Sequence, residues 1–192
     1  MISSFSTVGN YDYGIFWYLY LDGTIELEMK LTGIVGISAH NEEIHNPEQD
    51  MKITEELVSP IHQHLFNVRI DWFLDGGKNK LIETNAERVP IGNKNPHGTQ
   101  FQAISSHLKK ESEAKRNIAP EKSRVWKITN PNKKNSIGGE SAYKFLPGYS
   151  PVLLSDFDSP TGKRASFAKY NLWATPFEKG EISGGGRFTV MH

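Results

Sequence analysis

The stretch Ile15-Phe16-Trp17-Tyr18-Leu19-Tyr20-Leu21 is apolar or aromatic at every position, and Asp22-Gly23 stops it. A short run with no polar face fits a central strand covered on both sides. Asp-Gly is a strong hairpin signal, because glycine accepts the positive φ of a tight turn. The chain then alternates: Ile25, Leu27, Met29 and Leu31 on one face, Thr24, Glu26, Glu28 and Lys30 on the other. One side of this return strand is expected to meet water. Similar short runs of Val, Ile, Phe, Tyr and Trp, broken by Gly, Pro, Asn and Asp, mark further strands at 61–73, 81–87, 101–110, 125–129, 143–145, 152–154 and 167–175. Another is expected at 187–190, after the glycine run 184–186, which reads as flexible. Residues 41–59 and 90–100 read as loops, 75–77 as a turn, and 111–120 as room for one short helix. The fold expected is all-β, an antiparallel β-sandwich or part of one, with long loops and little helix. No linker divides it, so 1–192 is read as a single, incomplete domain.

Charge and composition remove several classes of function. Lys plus Arg and Asp plus Glu each number 22, so the formal net charge is zero. No global field favours nucleic acid or an anionic membrane. The basic cluster Lys109, Lys110, Lys115 and Arg116 is interrupted by Glu111 and Glu113 and reads as a solvated face. Cysteine is absent, which excludes disulfides and thiolate metal sites and leans toward a reducing, cytoplasmic compartment. No apolar stretch approaches the roughly 20 residues of a membrane-spanning helix. The first residues also lack the pattern of a secretory signal.

Two short motifs carry chemistry. His62 and His64 lie two apart, so in a strand both imidazoles project from one face. Phe66, Val68, Ile70 and Trp72 would continue that face as a dry surround. Neutral imidazole suits copper or zinc. The plainer alternative is two part-buried histidines bonded to backbone carbonyls, and two ligands are fewer than a stable site normally has. None of His40, His45, His97, His107 or His192 is an obvious third. Upstream, Tyr11 follows Gly9 and Asn10 and precedes Asp12, with Gly14 close by. Glycines near a reactive ring permit close approach and unusual backbone angles. A tyrosyl ring near Cu(II) can be opened to attack by O2. By itself this could equally be an ordinary loop tyrosine before an aromatic strand.

The two motifs together resemble the copper-containing amine oxidases. Thr7, Asn10, Tyr11, Asp12 and Tyr13 match the Thr-x-x-Asn-Tyr-Asp/Glu-Tyr pattern of that family, and the match continues through 20–26. Residues 60–71, with His62-Gln63-His64 and Arg69-Ile70-Asp71, are similar to the family's copper strand. Further likeness lies at 126–135 and 164–175, so the resemblance spans essentially the whole chain. It implies that Tyr11 becomes topaquinone in a self-processing reaction using copper and O2. It also implies that Asn10 and Asp12 flank the quinone, and that His62 and His64 bind copper. Asp71, with the carbonyl of Trp72, would match a peripheral calcium site, although Phe73 stands where some members have another Asp. Arg69 would be structural.

The implied activity is oxidation of a primary amine by O2, giving an aldehyde, ammonia and hydrogen peroxide. The family's enzymes are homodimers. The family's catalytic base and third copper histidine have no match here, so the chain is expected to be an internal piece, weak or inactive alone. Two other classes stay open. One is a non-catalytic β-sandwich binding module with structural histidines. The other is a cupin-like oxygenase using Glu83 or Asp71 as a carboxylate ligand. The amine itself is not legible.

Overall fold

A computed structural model describes residues 1–41, 43, 46, 48–148 and 150–180. It forms two compact units, Met1–Gln63 and His64–His192. The first contains β1 (Ile2–Val8), β2 (Tyr11–Leu19), β3 (Ile25–Gly33), β4 (Ser38–Ala39), β5 (Asp50–Lys52) and β6 (Leu57–Pro60). These make two three-stranded antiparallel sheets, ordered β1-β2-β3 and β4-β6-β5.

The aromatic run is central in its sheet, as its composition requires. Strand β2 begins at Tyr11, four positions before the apolar run, because Val8 pairs with Tyr11 across the two-residue turn Gly9-Asn10. Gly9 supplies that turn's positive φ of 61°, the requirement of a type II′ hairpin at its first central residue. The second hairpin closes at Gly23, whose N–H donates to the Tyr20 carbonyl at 3.1 Å. The sides of β2 are half-buried rather than covered: of its residues only Gly14 is fully buried. A Cβ at Gly14 would meet the rings of Phe5 and Phe16, which pack edge to face at 5.5 Å. Alternation along β3 does not become a dry face and a wet one either; Ile25 and Leu31 are both exposed.

The second unit contains β7 (Lys80–Arg88), β8 (Phe101–His107), β9 (Lys115–Arg116), β10 (Val125–Lys134), β11 (Glu140–Phe145), the helix α1 (Pro160–Arg164) and β12 (Leu172–Trp173). An antiparallel sheet ordered β11-β10-β7-β8 is its frame, and β9 pairs with β12. Trp126, 1% exposed, and Ile128 from β10 lie in the core with Ala114, Ala119, Leu153 and Ala168. Ser159 caps α1 by accepting from the Gly162 N–H at 2.9 Å. No helix of the described residues is long and apolar enough to cross a membrane.

The all-β, antiparallel expectation holds, and several of its details do not. Residues 61–73 are not a strand. Alternating side chains describe two faces, but a strand exists only where a neighbour supplies ladder hydrogen bonds, and among the described residues none does so. The pairing strand instead ends at Pro60, opposite Asp50. Phe66, Val68 and Ile70 are exposed, so they form no dry surround. Residues 41–59 are not all loop, because β5 and β6 lie there. Residues 152–154 form no strand, and 167–175 hold a 3-10 turn, Ser166–Lys169, before β12. The α-helical turn lies at Pro160–Arg164, where Pro sits at its start; 111–120 holds a turn, and a short 3-10 helix, Pro120–Lys122, begins at its end. His45, His192 and the expectations for 184–190 lie outside the described residues.

Candidate functional site

Tyr11 opens β2 and pairs with Gly33 at the end of β3. Gly33 has a φ of 104°, and a Cβ there would collide with the backbone of Asn10, Tyr11 and Asp12. Only glycine lets the two strands close at this point. The Ile34 N–H then donates to the Asn10 carbonyl at 2.7 Å. On the other side, the Thr7 hydroxyl donates to the Asp12 carboxylate at 2.6 Å, across the pair Thr7–Asp12 of β1 and β2. Tyr11 is therefore held at its backbone from both neighbouring strands.

Its side chain is half-buried, and its oxygen lies 3.0 Å from Nε2 of His62. The rings stand 5.8 Å apart at 49°. The Gly36 N–H donates to the same phenol oxygen at 3.0 Å. His62 Nδ1 lies 2.8 Å from the Pro60 carbonyl oxygen. A carbonyl can only accept, so in the neutral imidazole Nδ1 carries the proton and Nε2 presents its lone pair. The Tyr11 hydroxyl donates to that lone pair. His62 also borders an apolar depression of about 350 Å³ lined by Val35, Met51, Ile53, Ser59, Pro60 and Ile61.

This arrangement suits a metal in kind. An imidazole whose Nδ1–H is tied to a backbone carbonyl is oriented with its lone pair at the other nitrogen, the usual setting of a metal-binding histidine. It also satisfies half of the plainer reading, since His62 does bond a carbonyl. The number of ligands is short: among the described residues no three His, Asp or Glu side chains gather. His64 is half-buried and opens the second unit; with 61–73 irregular, the two-residue spacing no longer places it on the face of His62. Asn10 is exposed in the turn and Asp12 half-buried. Asp71 is exposed, and Trp72 packs against Tyr143 at 5.6 Å. One such carboxylate does not make the 6 to 8 oxygens that calcium takes. Arg69 donates to the Glu178 carbonyl at 3.0 Å, in keeping with a structural part.

Glu83, the carboxylate considered for a cupin-like site, is committed elsewhere. It is 2% exposed and accepts both Nε and Nη2 of Arg116, at 2.7 and 2.6 Å. Trp126 Nε1 donates to it at 3.0 Å and Asn85 Nδ2 at 3.2 Å, with Arg124 at 3.4 Å. Burial pushes this carboxyl up, but the hydrogen bonds of Arg116, Asn85 and Trp126 and the charge of Arg124 outweigh it, bringing it from 4.5 to about 2. Asn85 in turn accepts from Arg124 Nε at 2.8 Å. Every lone pair of use to a metal is engaged, so this is a fold-holding cluster.

Gly36, Gly33 and the Pro60 carbonyl were not foreseeable from the motifs. The one signal is the pair of glycines three apart at the end of β3 and just after it. All 192 residues match the family model described as copper amine oxidase, enzyme domain. The chain is 42% identical to a histamine oxidase of Arthrobacter globiformis, over 100% of its own length and 28% of that protein. It is 38% identical to a copper methylamine oxidase of an Arthrobacter species, over 98% of its length and 28% of the relative. Among solved structures it superposes on a copper-containing benzylamine oxidase from Hansenula polymorpha with a TM-score of 0.87 at 28% identity, covering 97% of this chain and 29% of that one. The chain thus spans under a third of each of these relatives, and it belongs to the copper amine oxidase family, within the enzyme domain.

Proposed function

We propose that this chain carries the tyrosine-bearing half of an amine-oxidising centre, with Tyr11 as the precursor of topaquinone and His62 and His64 as copper ligands. The observation that carries the reading is the 3.0 Å hydrogen bond from the Tyr11 hydroxyl to the lone pair of His62 Nε2. It puts an oxidisable ring beside a nitrogen already oriented for a metal. Copper and O2 would supply oxidation of the phenol ring, and the resulting quinone an electron sink through which a primary amine, water and O2 give an aldehyde, ammonia and hydrogen peroxide.

The chain's own residues do the holding. The Pro60 carbonyl keeps His62 in the tautomer that offers Nε2. The Thr7–Asp12 bond and the close β2–β3 approach at Gly33 fix the backbone on which the ring turns. Asn10 and Asp12 flank the ring in sequence and would limit its orientations.

Copper(II) titration of the purified chain, followed by electron paramagnetic resonance, tests the reading. Nitrogen coupling to copper is expected, and it is lost in His62→Ala. Aerobic incubation should yield little quinone from a site with two histidines, and that little should reside in the peptide bearing Tyr11 and vanish in Tyr11→Phe. Copper binding indifferent to His62, or quinone that persists without Tyr11, overturns it.

A further inference from the structure

The Tyr11 hydroxyl belongs to a chain of three hydrogen bonds with backbone groups at both ends. The Gly36 N–H donates to the phenol oxygen at 3.0 Å, the phenol faces His62 Nε2 at 3.0 Å, and His62 Nδ1 faces the Pro60 carbonyl at 2.8 Å. An amide N–H can only donate and a carbonyl can only accept. In the neutral imidazole the Pro60 carbonyl takes the Nδ1 proton, Nε2 is left as the acceptor and the phenol is the donor, and each bond polarises the next. Gly36 lies between β3 and β4 and Pro60 closes β6, so the phenol and its histidine are held by main-chain groups from two separate stretches of one unit.

We propose that Gly36 N–H and Pro60 C=O are positioning groups. Together they park the Tyr11 hydroxyl on His62 Nε2 in the metal-free protein, so that the phenol proton and a metal ion compete for one lone pair. This rests on the reading of His62 as a metal ligand. A metal–imidazole bond is about 2.0 Å long and uses the electron pair that the phenol proton occupies, so both cannot hold it. Metal entry must break the Tyr11–His62 bond, and it does so with the phenol oxygen still tethered by Gly36. The ring is thus released from the histidine at the moment the metal arrives, and not before.

The test uses the full 192-residue chain and zinc(II), which binds imidazole but drives no oxidation. First, in the metal-free chain labelled with nitrogen-15 histidine, His62 should show the tautomer protonated at Nδ1; protonation at Nε2 overturns the proposal. Second, Tyr11→Phe removes the competitor and should bind zinc about fivefold more tightly, the fold-change equivalent to one ordinary hydrogen bond. Equal or weaker binding overturns the competition. Third, zinc should shift the Gly36 amide resonance in the unsubstituted chain and leave it in place in Tyr11→Phe; a shift in both overturns the tether. His62→Ala separates the two levels. Zinc affinity unchanged by that substitution refutes the metal-site reading itself, while the tautomer of the metal-free chain still decides the hydrogen-bond chain.

Discussion

Tyr11 is gripped twice by glycine, once through the backbone at Gly33 and once at its oxygen by the Gly36 N–H. The two grips differ in what they tolerate. At Gly33 a methyl group would strike main-chain atoms of Asn10, Tyr11 and Asp12 at a φ of 104°, which leaves nothing to yield but the strand pairing. Gly33→Ala is expected to cost about 1 to 3 kcal/mol, read as a lowered urea midpoint, and to loosen Tyr11 from His62. At Gly36 the added Cβ would meet the Tyr11 oxygen at 3.4 Å, ordinary contact, so Gly36→Ala should cost well under 1 kcal/mol by the same measurement. Sequence motifs located Tyr11 and His62 and passed over both glycines' duties. A backbone N–H or carbonyl has no letter of its own; it becomes visible only once the chain has folded it against a side chain.

Strand β7, laddered to β8 and β10, is also tied to its surroundings by one buried carboxylate. Glu83 joins β7 to Arg116 of β9 and to Trp126 of β10, and its carboxyl sits at about 2 against an ordinary 4.5. The unfolded chain binds this proton more readily than the folded one. The stabilisation is therefore complete above pH 4.5 and is lost as pH falls toward 2, on the order of 3 kcal/mol in all. Acid titration of the folded chain followed by Trp fluorescence should show that loss, and Glu83→Gln should flatten it. The same substitution leaves Arg116 and Arg124 without their counter-charge and should lower stability at neutral pH by about 3 kcal/mol or more, measured in urea. Nothing in the local sequence sets Glu83 apart from Glu87 of the same strand, because Arg116 and Trp126 come from 33 and 43 positions away. The first hairpin was legible for the opposite reason: the apolar run, Asp22-Gly23 and the returning strand are contiguous. Residues 61–73 misled because their alternation is real while the neighbour that would convert it into a strand is absent from the described residues.

Over the whole molecule, apolar surface is exposed at formal neutrality. Every residue of β1 is exposed, Phe5 and Ile2 by 71% and 63%, and β1 lies at the edge of its sheet among the described residues. An exposed apolar edge strand with no net charge to repel its copies favours association. Sedimentation velocity is expected to show a coefficient that rises with concentration at neutral pH, and Phe5→Lys should suppress the rise. The division between Gln63 and His64 has a consequence of its own. The segment that follows is irregular and largely exposed through Phe73, so chymotrypsin should nick it early, at Phe66 or Phe73. A cut at Phe66 leaves both imidazoles on the amino-terminal fragment, attached by a frayed tail, whereas a protease that severed the bond after Gln63 would send them into separate peptides. One residue of backbone separates the two imidazoles, and its integrity can be assayed with a blade as well as with an ion.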